Sequence, residues 1–152
     1  FDVGSVRMTE RWVRSDPPIE SELAAIRAAL RDAFTAAPCA ASLVEGLEAV
    51  VAIAGTATTY AAIDLELADY ASAPPHGHRL RLDRLDELAA RLAAMTLERR
   101  RTVVGLEPAR ADVIVAGGLT LRAAAERFGA ADLVVSDRGV RWGLAIELLA
   151  SA

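Results

Sequence analysis

The stretch that most constrains how this chain can fold is residues 49–59, AVVAIAGTATT. Residues 50–53 predict a short buried strand, because β-branched side chains pack well on a pleated surface. Gly55 then allows a sharp turn. Hydroxyl groups follow where a helix would begin, on Thr56, Thr58 and Thr59. A strand, a glycine turn and a helix N-terminus together present free backbone N–H groups, which attract anions such as phosphate. The alternative is a buried strand and a capped helix with no ligand.

Composition is that of one domain with an aliphatic core. The 152 residues are 53% hydrophobic but only 5% aromatic, so alanine, leucine, valine and isoleucine must fill the interior. No apolar run reaches the length of a membrane span, and the first residues do not resemble a signal peptide. A single cysteine, Cys39, excludes an internal disulfide framework and suits a reducing cytosol. We therefore expect a cytoplasmic protein without a membrane segment.

Charge and histidine content narrow the classes of partner. The net charge of −4 argues against nucleic-acid binding by the whole surface. Arginine supplies all 17 positive side chains, which is compatible with a GC-rich coding background or with a surface that binds phosphate through guanidinium groups. His76 and His78 are too few for a structural zinc site, so a polar loop is predicted there.

The first third of the chain predicts two helices. Residues 1–12 start extended and then suggest a short helix. Asp16, followed by two prolines, is typical of a helix start, with Asp16 as the cap and Pro38 ending the helix. One apolar stripe follows on Ile19, Leu23, Ile26, Leu30 and Phe34. The opposite face exposes Glu20, Arg27 and Arg31.

The middle of the chain alternates between short elements. The helix after Gly55 should continue to residue 65, and residues 69–75 predict a loop. Residues 79–82 alternate as a short strand does. Asp83 is then expected to cap a helix, and Thr96 to begin a short one. The helix that begins at Asp83 is predicted to bury one stripe of side chains, on Leu85, Leu88, Leu92 and Met95. The arginine run 99–101 indicates a solvated face, with a phosphate contact as the less favoured alternative.

The last third contains a second informative stretch, residues 108–129. Residues 113–115 could be a strand that meets a glycine turn at Gly117 and Gly118, or a helix begun at Pro108 could carry both glycines inside it. Two helical glycines cost about 1 kcal/mol each against alanine, so a helix would need a packing or ligand reason. Gly129 is a natural end for it. Residues 132–136 predict a buried strand and residues 137–150 an apolar helix, which makes the domain α/β.

Several phrases taken together resemble the Ppx/GppA family of exopolyphosphatases and guanosine pentaphosphate phosphatases. They are GSVRMTER from Gly4, AGTATT from Ala54, HG at His76, MTLERR from Met95, GLEPARADVIVAGGLTL from Gly105 and VSDRGVRWG from Val135. Their order and spacing match across nearly the whole chain. The resemblance implies an actin-like architecture of two ribonuclease-H-like domains, as in sugar kinases and Hsp70. It favours the helical interpretation of residues 111–121.

The resemblance also indicates what is missing. Residues 1–152 look like most of the second, C-terminal domain, with a mixed sheet flanked by helices and an incomplete N-terminal side. The chain begins at Phe1 rather than at Met, which suggests a fragment. The N-terminal domain, its phosphate loop and its catalytic glutamate have no counterpart here, nor does the Asp-Ile-Gly-Gly-Gly-Ser loop expected before Phe1. The chain also ends before the HD-like domain of longer members.

For the site, we expect phosphate to be held by the Gly55 and Thr56 backbone, with the Thr56 hydroxyl helping, and the cleft to be lined by Gly117 and Gly118. Arg7 and Arg110 are candidate phosphate contacts, although surface salt bridges would explain both. No catalytic residue is expected in this half. Three positions depart from the family pattern: Ala54 replaces a glycine, Gly118 an alanine and Trp142 an acidic residue.

The function that the resemblance implies is Mg²⁺-dependent release of terminal phosphate from polyphosphate or pppGpp by the complete bacterial protein. Family members are often dimers, so a homodimer is a further expectation. The alternatives are a non-catalytic domain that senses phosphate or nucleotide, and a relative of sugar or acid kinases. The isolated chain is expected to be inactive, since the cleft would have only one wall.

Overall fold

The computed structural model describes residues 1–36, 47–69 and 75–151. Seven helices are described, α1 to α7, together with three strands, β1 to β3, and a 3₁₀ turn. In chain order they are α1 Ser5–Trp12, α2 Glu20–Ala36, β1 Val51–Ile53, α3 Gly55–Asp64, β2 Arg79–Arg81, α4 Leu82–Ala93, α5 Leu97–Arg100, the 3₁₀ turn Pro108–Arg110, α6 Ile114–Arg127, β3 Asp132–Ser136 and α7 Val140–Ala150. The predicted end of α2 at Pro38 and Cys39 lie outside the described residues.

The sheet is mixed, with strand order β1-β3-β2. β3 is central, parallel to β1 and antiparallel to β2, and its Leu133 and Val135 are buried. The prediction that β1 is a buried strand is wrong. Val51 is 56% and Ile53 47% exposed, and only Ala52 between them faces the core. Successive side chains of a strand point to opposite faces of the sheet, so the small residue is inside and both β-branched residues are outside.

The core lies where the sheet and α4 meet α3 and α6. α6 contacts α1, α2, α3 and α4, so it is the helix around which the others pack. The predicted helical interpretation of residues 111–121 is confirmed, but α6 begins at Ile114 because Pro108 opens the 3₁₀ turn instead. The predicted stop at Gly129 is also confirmed. Gly129 has φ +64°, and its N–H and that of Ala130 bond back to Glu126 and Ala125, as in a Schellman motif.

The capping prediction for α2 is wrong. Asp16 accepts hydrogen bonds from the Leu97 N–H, at 2.8 Å, and from Arg100 Nη2, at 3.0 Å. Its carboxylate therefore binds the first residue of α5, which is 81 positions away in the sequence. At the start of α2, the Glu22 carboxylate accepts a hydrogen bond from the Ile19 N–H instead. The expected stripe is confirmed from position 23 onward, whereas Ile19 precedes the helix and is exposed. The buried members are Leu23, Ile26, Leu30 and Phe34.

Arg100 contradicts the prediction of a solvated arginine run. Its side chain is 4% exposed, whereas Arg99 and Arg101 are exposed as expected. Thr96 caps α5 as predicted by accepting from the Arg99 N–H. The Asp16 carboxylate pairs with this buried guanidinium at 3.0 Å, so the buried charge has a partner.

α4 and α7 start at residues other than those predicted. α4 begins at Leu82, so Asp83 lies inside its first turn and is not the cap. The Asp83 carboxylate pairs instead with Arg81, the residue before the helix. Leu85, Leu88 and Leu92 are buried as expected.

α7 begins at Val140 and buries none of its residues, although it is strongly apolar. Its exposed large side chains are Val140, Trp142, Leu144, Ile146, Leu148 and Leu149. In the part of the chain that the structure describes, no helix combines the length and apolar character needed to cross a bilayer.

Candidate functional site

The candidate site is the turn between β1 and α3. Ala54 closes the strand with φ +70° and ψ −179°, a conformation that glycine adopts far more readily than alanine. Gly55 is the first residue of α3, and no described side chain caps this helix. Among the described residues, no side chain accepts a hydrogen bond from the first-turn N–H groups. The positive φ of this turn explains why the family pattern has a glycine at position 54.

The three threonines of this segment have different surroundings. The Thr58 hydroxyl donates back to the carbonyls of Ala54 and Gly55, both at 3.3 Å. Thr58 and Thr59 are buried, and Thr56 is half-buried. All three threonines lie at the start of α3 as expected, but the Thr58 hydroxyl is used by carbonyls of its own helix.

Arg110 lies directly against Gly55. A Cβ atom added to Gly55 would be 2.2 Å from Arg110 Nη1 and 2.7 Å from Nη2, so the guanidinium occupies the space that any side chain at position 55 would need. The 3₁₀ turn Pro108–Arg110 carries it there, and Arg110 Nε donates to Glu107 Oε2 at 2.8 Å. The Glu107 carboxylate thus holds the Arg110 guanidinium through Nε, while both Nη groups face the start of α3.

This placement puts a cation at the positive end of a helix. The N-terminus of α3 carries a partial positive charge from its aligned peptide dipoles, and its first turn contains no acidic residue. Arg110 at this end is therefore electrostatically unfavourable by itself. An anion bound between the guanidinium and the first-turn N–H groups would be attracted by both and would remove that conflict.

The glycine pair of α6 permits the close approach of α3. A Cβ atom at Gly117 would be 2.7 Å from Thr56 Cγ2 and 3.1 Å from its hydroxyl. At Gly118 it would be 2.1 Å from the Tyr60 hydroxyl. Both glycines are buried, so the packing reason that a helix with two glycines requires is present. Gly117 adjoins Thr56 at the site, whereas cleft lining by either glycine is still a prediction.

Tyr60 shows why position 118 has no side chain. Its hydroxyl donates to the Ile114 carbonyl at 3.1 Å, in the first turn of α6. Burial raises the pKa of this phenol well above its ordinary value, so Tyr60 stays neutral. The alanine common in the family at position 118 would occupy the place of this hydroxyl.

Gly105 holds the loop before Arg110 against α3. It has φ +82°, and a Cβ atom there would be 2.4 Å from the Ala62 carbonyl oxygen. A cavity of about 490 Å³ opens beside this loop and next to Arg110. Its walls are Thr58, Thr59, Leu67, Ala68, Gly105, Leu106, Glu107 and Arg110.

A polar cluster that the sequence did not predict lies at the same sheet edge. Ser136 ends β3 and is paired with Ile53 at the end of β1. His76 Nδ1 is 2.9 Å from Asp137 Oδ1 and 3.3 Å from Ser136 Oγ. Asp137 Oδ1 is buried and has no hydrogen-bond partner among the described residues, although the His76 ring lies beside it. The carboxylate and the hydroxyl share one ring nitrogen, which is not the arrangement of a serine, histidine and aspartate triad.

Arg7, a predicted phosphate contact, and Trp142, a departure from the family pattern, lie apart from these contacts. Arg7, on α1, pairs with Asp2 at the exposed surface, so its contact with phosphate is still a prediction. Trp142 is about half exposed on α7, with the Arg138 guanidinium 5.0 Å from its ring centre.

The described residues show no ready-made cluster of metal ligands. Among them, no group of three or more histidine, cysteine, aspartate or glutamate side chains converges to hold a metal ion. Near the turn, Glu107 pairs with Arg110 and Asp137 with His76.

Comparison with known proteins identifies relatives of this chain. Exopolyphosphatase 2 of Mycobacterium tuberculosis is 34% identical in an alignment 151 residues long, which covers 97% of this chain and 47% of that protein. The crystal structure of the Aquifex aeolicus Ppx/GppA family member matches with a TM-score of 0.85 at 25% identity, over 99% of this chain and 48% of that one. An exopolyphosphatase structure from Cytophaga hutchinsonii, 19% identical, shares the fold with a TM-score of 0.72 over 100% of this chain and 49% of its own.

The predicted actin-like fold, a mixed sheet flanked by helices, is therefore confirmed. The chain spans about half the length of the relatives that it matches. The model of the Ppx/GppA phosphatase family covers residues 1–152. The chain belongs to the Ppx/GppA phosphatase family.

Proposed function

We propose that this chain forms one wall of the phosphate-binding cleft of a phosphohydrolase that releases terminal phosphate from polyphosphate or pppGpp. The observation that carries the proposal is the Arg110 guanidinium against Gly55, at the uncapped N-terminus of α3. A terminal phosphate bound there would accept from the first-turn N–H groups and from the Nη groups of Arg110. The family name and the exopolyphosphatase relative support this assignment.

Each residue of the site has a separate task in this proposal. Gly55 leaves space for the guanidinium, and Thr56 offers its N–H and hydroxyl to the phosphate. Glu107 positions Arg110 by its Nε, at 2.8 Å. Gly117, beside Thr56, brings α6 close to the phosphate. Donors fixed before the reaction stabilise the charge that spreads over the phosphoryl oxygens as the bridging P–O bond breaks.

The remaining chemistry belongs to the other half of the complete protein. Water attacks the terminal phosphorus and a base takes its proton, and the resemblance assigns that base to a glutamate of the N-terminal domain. Mg²⁺ would neutralise phosphate charge when bound. The isolated chain is therefore expected to be inactive.

The exposed apolar surfaces of this chain suit contact with that other half. α7 exposes Leu144, Ile146 and Leu149, and the outer face of β1 exposes Val51 and Ile53. Soluble proteins rarely leave such contiguous apolar surface in water. Relatives twice as long as this chain have the residues to cover it. We propose that this chain is the C-terminal domain of a cytoplasmic, homodimeric enzyme and that α7 packs against its N-terminal domain.

Phosphate release by the full-length protein tests the proposed function. We expect Mg²⁺-dependent release from long-chain polyphosphate or from pppGpp, loss of that release when Mg²⁺ is chelated, and none from the 152-residue chain alone. Tight binding of polyphosphate or pppGpp without turnover would instead indicate a sensor. ATP-dependent transfer to an acceptor would indicate a kinase.

A further inference from the structure

A buried tyrosine, Tyr60, joins the two segments that supply the candidate phosphate site. One segment is the start of α3, with the N–H groups of Gly55 and Thr56. The other is the 3₁₀ turn that carries the Arg110 guanidinium and ends three residues before α6 begins. The Tyr60 hydroxyl donates to the Ile114 carbonyl at 3.1 Å, so it links α3 to the first residue of α6.

The start of α6 holds the backbone of Arg110. The Val113 N–H donates to the Arg110 carbonyl at 3.2 Å, and the Gly117 N–H donates to the Val113 carbonyl at 2.9 Å. The Arg110 N–H in turn donates to the Glu107 carbonyl at 2.8 Å. Backbone hydrogen bonds therefore run without a break from the first turn of α6 to the residue that carries the guanidinium.

On α3, Tyr60 lies one helical turn beyond Thr56. Residues four positions apart lie on the same face of an α-helix, and here that face meets the glycine pair of α6. Thr56 Cγ2 lies 2.7 Å from the place of a Cβ on Gly117. The Tyr60 hydroxyl lies 2.1 Å from the place of a Cβ on Gly118, and its Cζ atom 2.5 Å. The spacing of α3 and α6 at Tyr60 is therefore also the spacing at Thr56.

The surroundings of Tyr60 leave this spacing little freedom. The side chain has no exposed surface, and its hydroxyl is bonded. Protein interiors are close-packed, so a buried ring that is fixed at its far end resists sliding of the two helices. The alanine common in the family at position 118 would collide with the hydroxyl, so Tyr60 and Gly118 are a matched pair in this chain.

We propose that Tyr60 is a positioning residue for phosphate binding. Through the Ile114 carbonyl it fixes the Arg110 guanidinium relative to the N–H groups at the start of α3. A phosphate held between both sets of donors needs both at hydrogen-bond distance at once, and a misplacement of about 1 Å can cost about a hundredfold in rate. This inference rests on the proposed function and adds to it a residue that acts without touching the phosphate.

The test is Tyr60→Phe in the full-length protein. Equilibrium binding of tripolyphosphate is measured in EDTA, and phosphate release from polyphosphate or pppGpp is measured with Mg²⁺. We expect the Kd for tripolyphosphate to rise about fivefold, because the charge-assisted contacts lose their geometry, and the KM for release to rise with it.

Ile63→Val is the matched control for this change. Ile63 is buried farther along α3, and loss of one buried methylene destabilises a protein about as much as loss of one buried hydrogen bond. Chemical denaturation should therefore give similar stability for the two variants, whereas Ile63→Val should keep the wild-type Kd. An equal rise of the Kd in both variants, or no rise in either, would overturn the inference.

Arg110→Ala shows whether Tyr60 acts through the guanidinium. Once the guanidinium is gone there is nothing for Tyr60 to position, so adding Tyr60→Phe should change the Kd by less than about twofold. A tyrosine that only stabilises the fold would weaken binding by the same factor with and without Arg110. That result would contradict the proposed role.

Gly118→Ala tests the helix spacing itself. The new Cβ would displace the Tyr60 ring, so we expect the Kd to rise about tenfold or more. Tyr60→Leu removes the hydroxyl, Cζ and Cε2 atoms that this Cβ would meet, so adding Gly118→Ala to it should cause no further loss. An equal loss in both backgrounds would overturn the matched pair. If Gly118→Ala does not fold, the comparison of Tyr60→Phe with Ile63→Val still decides. Absence of phosphate release by the wild-type protein would overturn the proposed function, whereas the Kd values would still decide the role of Tyr60.

Discussion

Replacing Gly55 by alanine in the full-length protein is expected to lower kcat by about a hundredfold to a thousandfold, the usual effect of losing one preorganised donor to the transition state. The new Cβ would occupy the position of the Arg110 guanidinium, 2.2 Å from Nη1. The long side chain of Arg110 can move aside, and alanine suits the first turn of a helix. The free energy of unfolding should therefore change little while phosphate release is lost.

A double-mutant cycle with Arg110→Ala separates this explanation from a general disturbance. If Gly55→Ala acts by displacing Arg110, the double variant should be no slower than either single variant. Gly4→Ala is the matched control, because a Cβ at Gly4 has no atom within 4 Å. Wild-type turnover by Gly55→Ala would contradict the site assignment, and additive losses would contradict the coupling to Arg110.

Replacing Gly105 by alanine is expected to destabilise the protein by about 3 kcal/mol or more. A left-handed conformation costs a non-glycine residue about 1–2 kcal/mol, and forced overpacking adds about 1–3 kcal/mol. At Gly105 the overlap is with the backbone, because the added Cβ would be 2.4 Å from the Ala62 carbonyl oxygen and α3 cannot shift as a side chain can. Chemical denaturation of the full-length protein measures the loss.

Gly129→Ala is the control for this change. Gly129 also has a positive φ, +64°, but a Cβ there would have no atom within 4 Å. It should therefore cost only the conformational part, about 1–2 kcal/mol. Equal losses from Gly105→Ala and Gly129→Ala would contradict close packing of the 105–110 loop on α3.

Much of the fold could be predicted because its signals are local. The spacing of Leu23, Ile26 and Leu30 predicts one buried helix face, and residues 132–136 form the predicted strand. Burial of β1 could not be predicted, since it depends on which elements cover each face of the sheet. The partners of Asp16 could not be predicted either, because Leu97 and Arg100 reach it from more than 80 residues away.

The site was predictable to a similar degree. Gly55 and Thr56 follow a strand in a pattern with a physical meaning, and the structure places them, with Arg110 and Gly117, around the start of α3. Glu107 was missed, although its i,i+3 spacing to Arg110 was a usable signal.

The cluster of His76, Ser136 and Asp137 carried only weak signals, the phrases HG and VSD. It forms because Ser136 is beside β1 in the sheet and the His76 loop reaches it from 60 residues away. The exposure of α7 was equally hidden, since an apolar run does not show what covers it.

The most direct test of the phosphate cleft is a crystal structure of the full-length protein with bound polyphosphate. We predict that an oxygen of the terminal phosphate lies about 2.7–3.2 Å from the backbone nitrogen of Gly55 or Thr56, with a second oxygen within the same distance of an Arg110 Nη atom. A terminal phosphate bound elsewhere, with Arg110 and the start of α3 not in contact with it, would contradict the proposal.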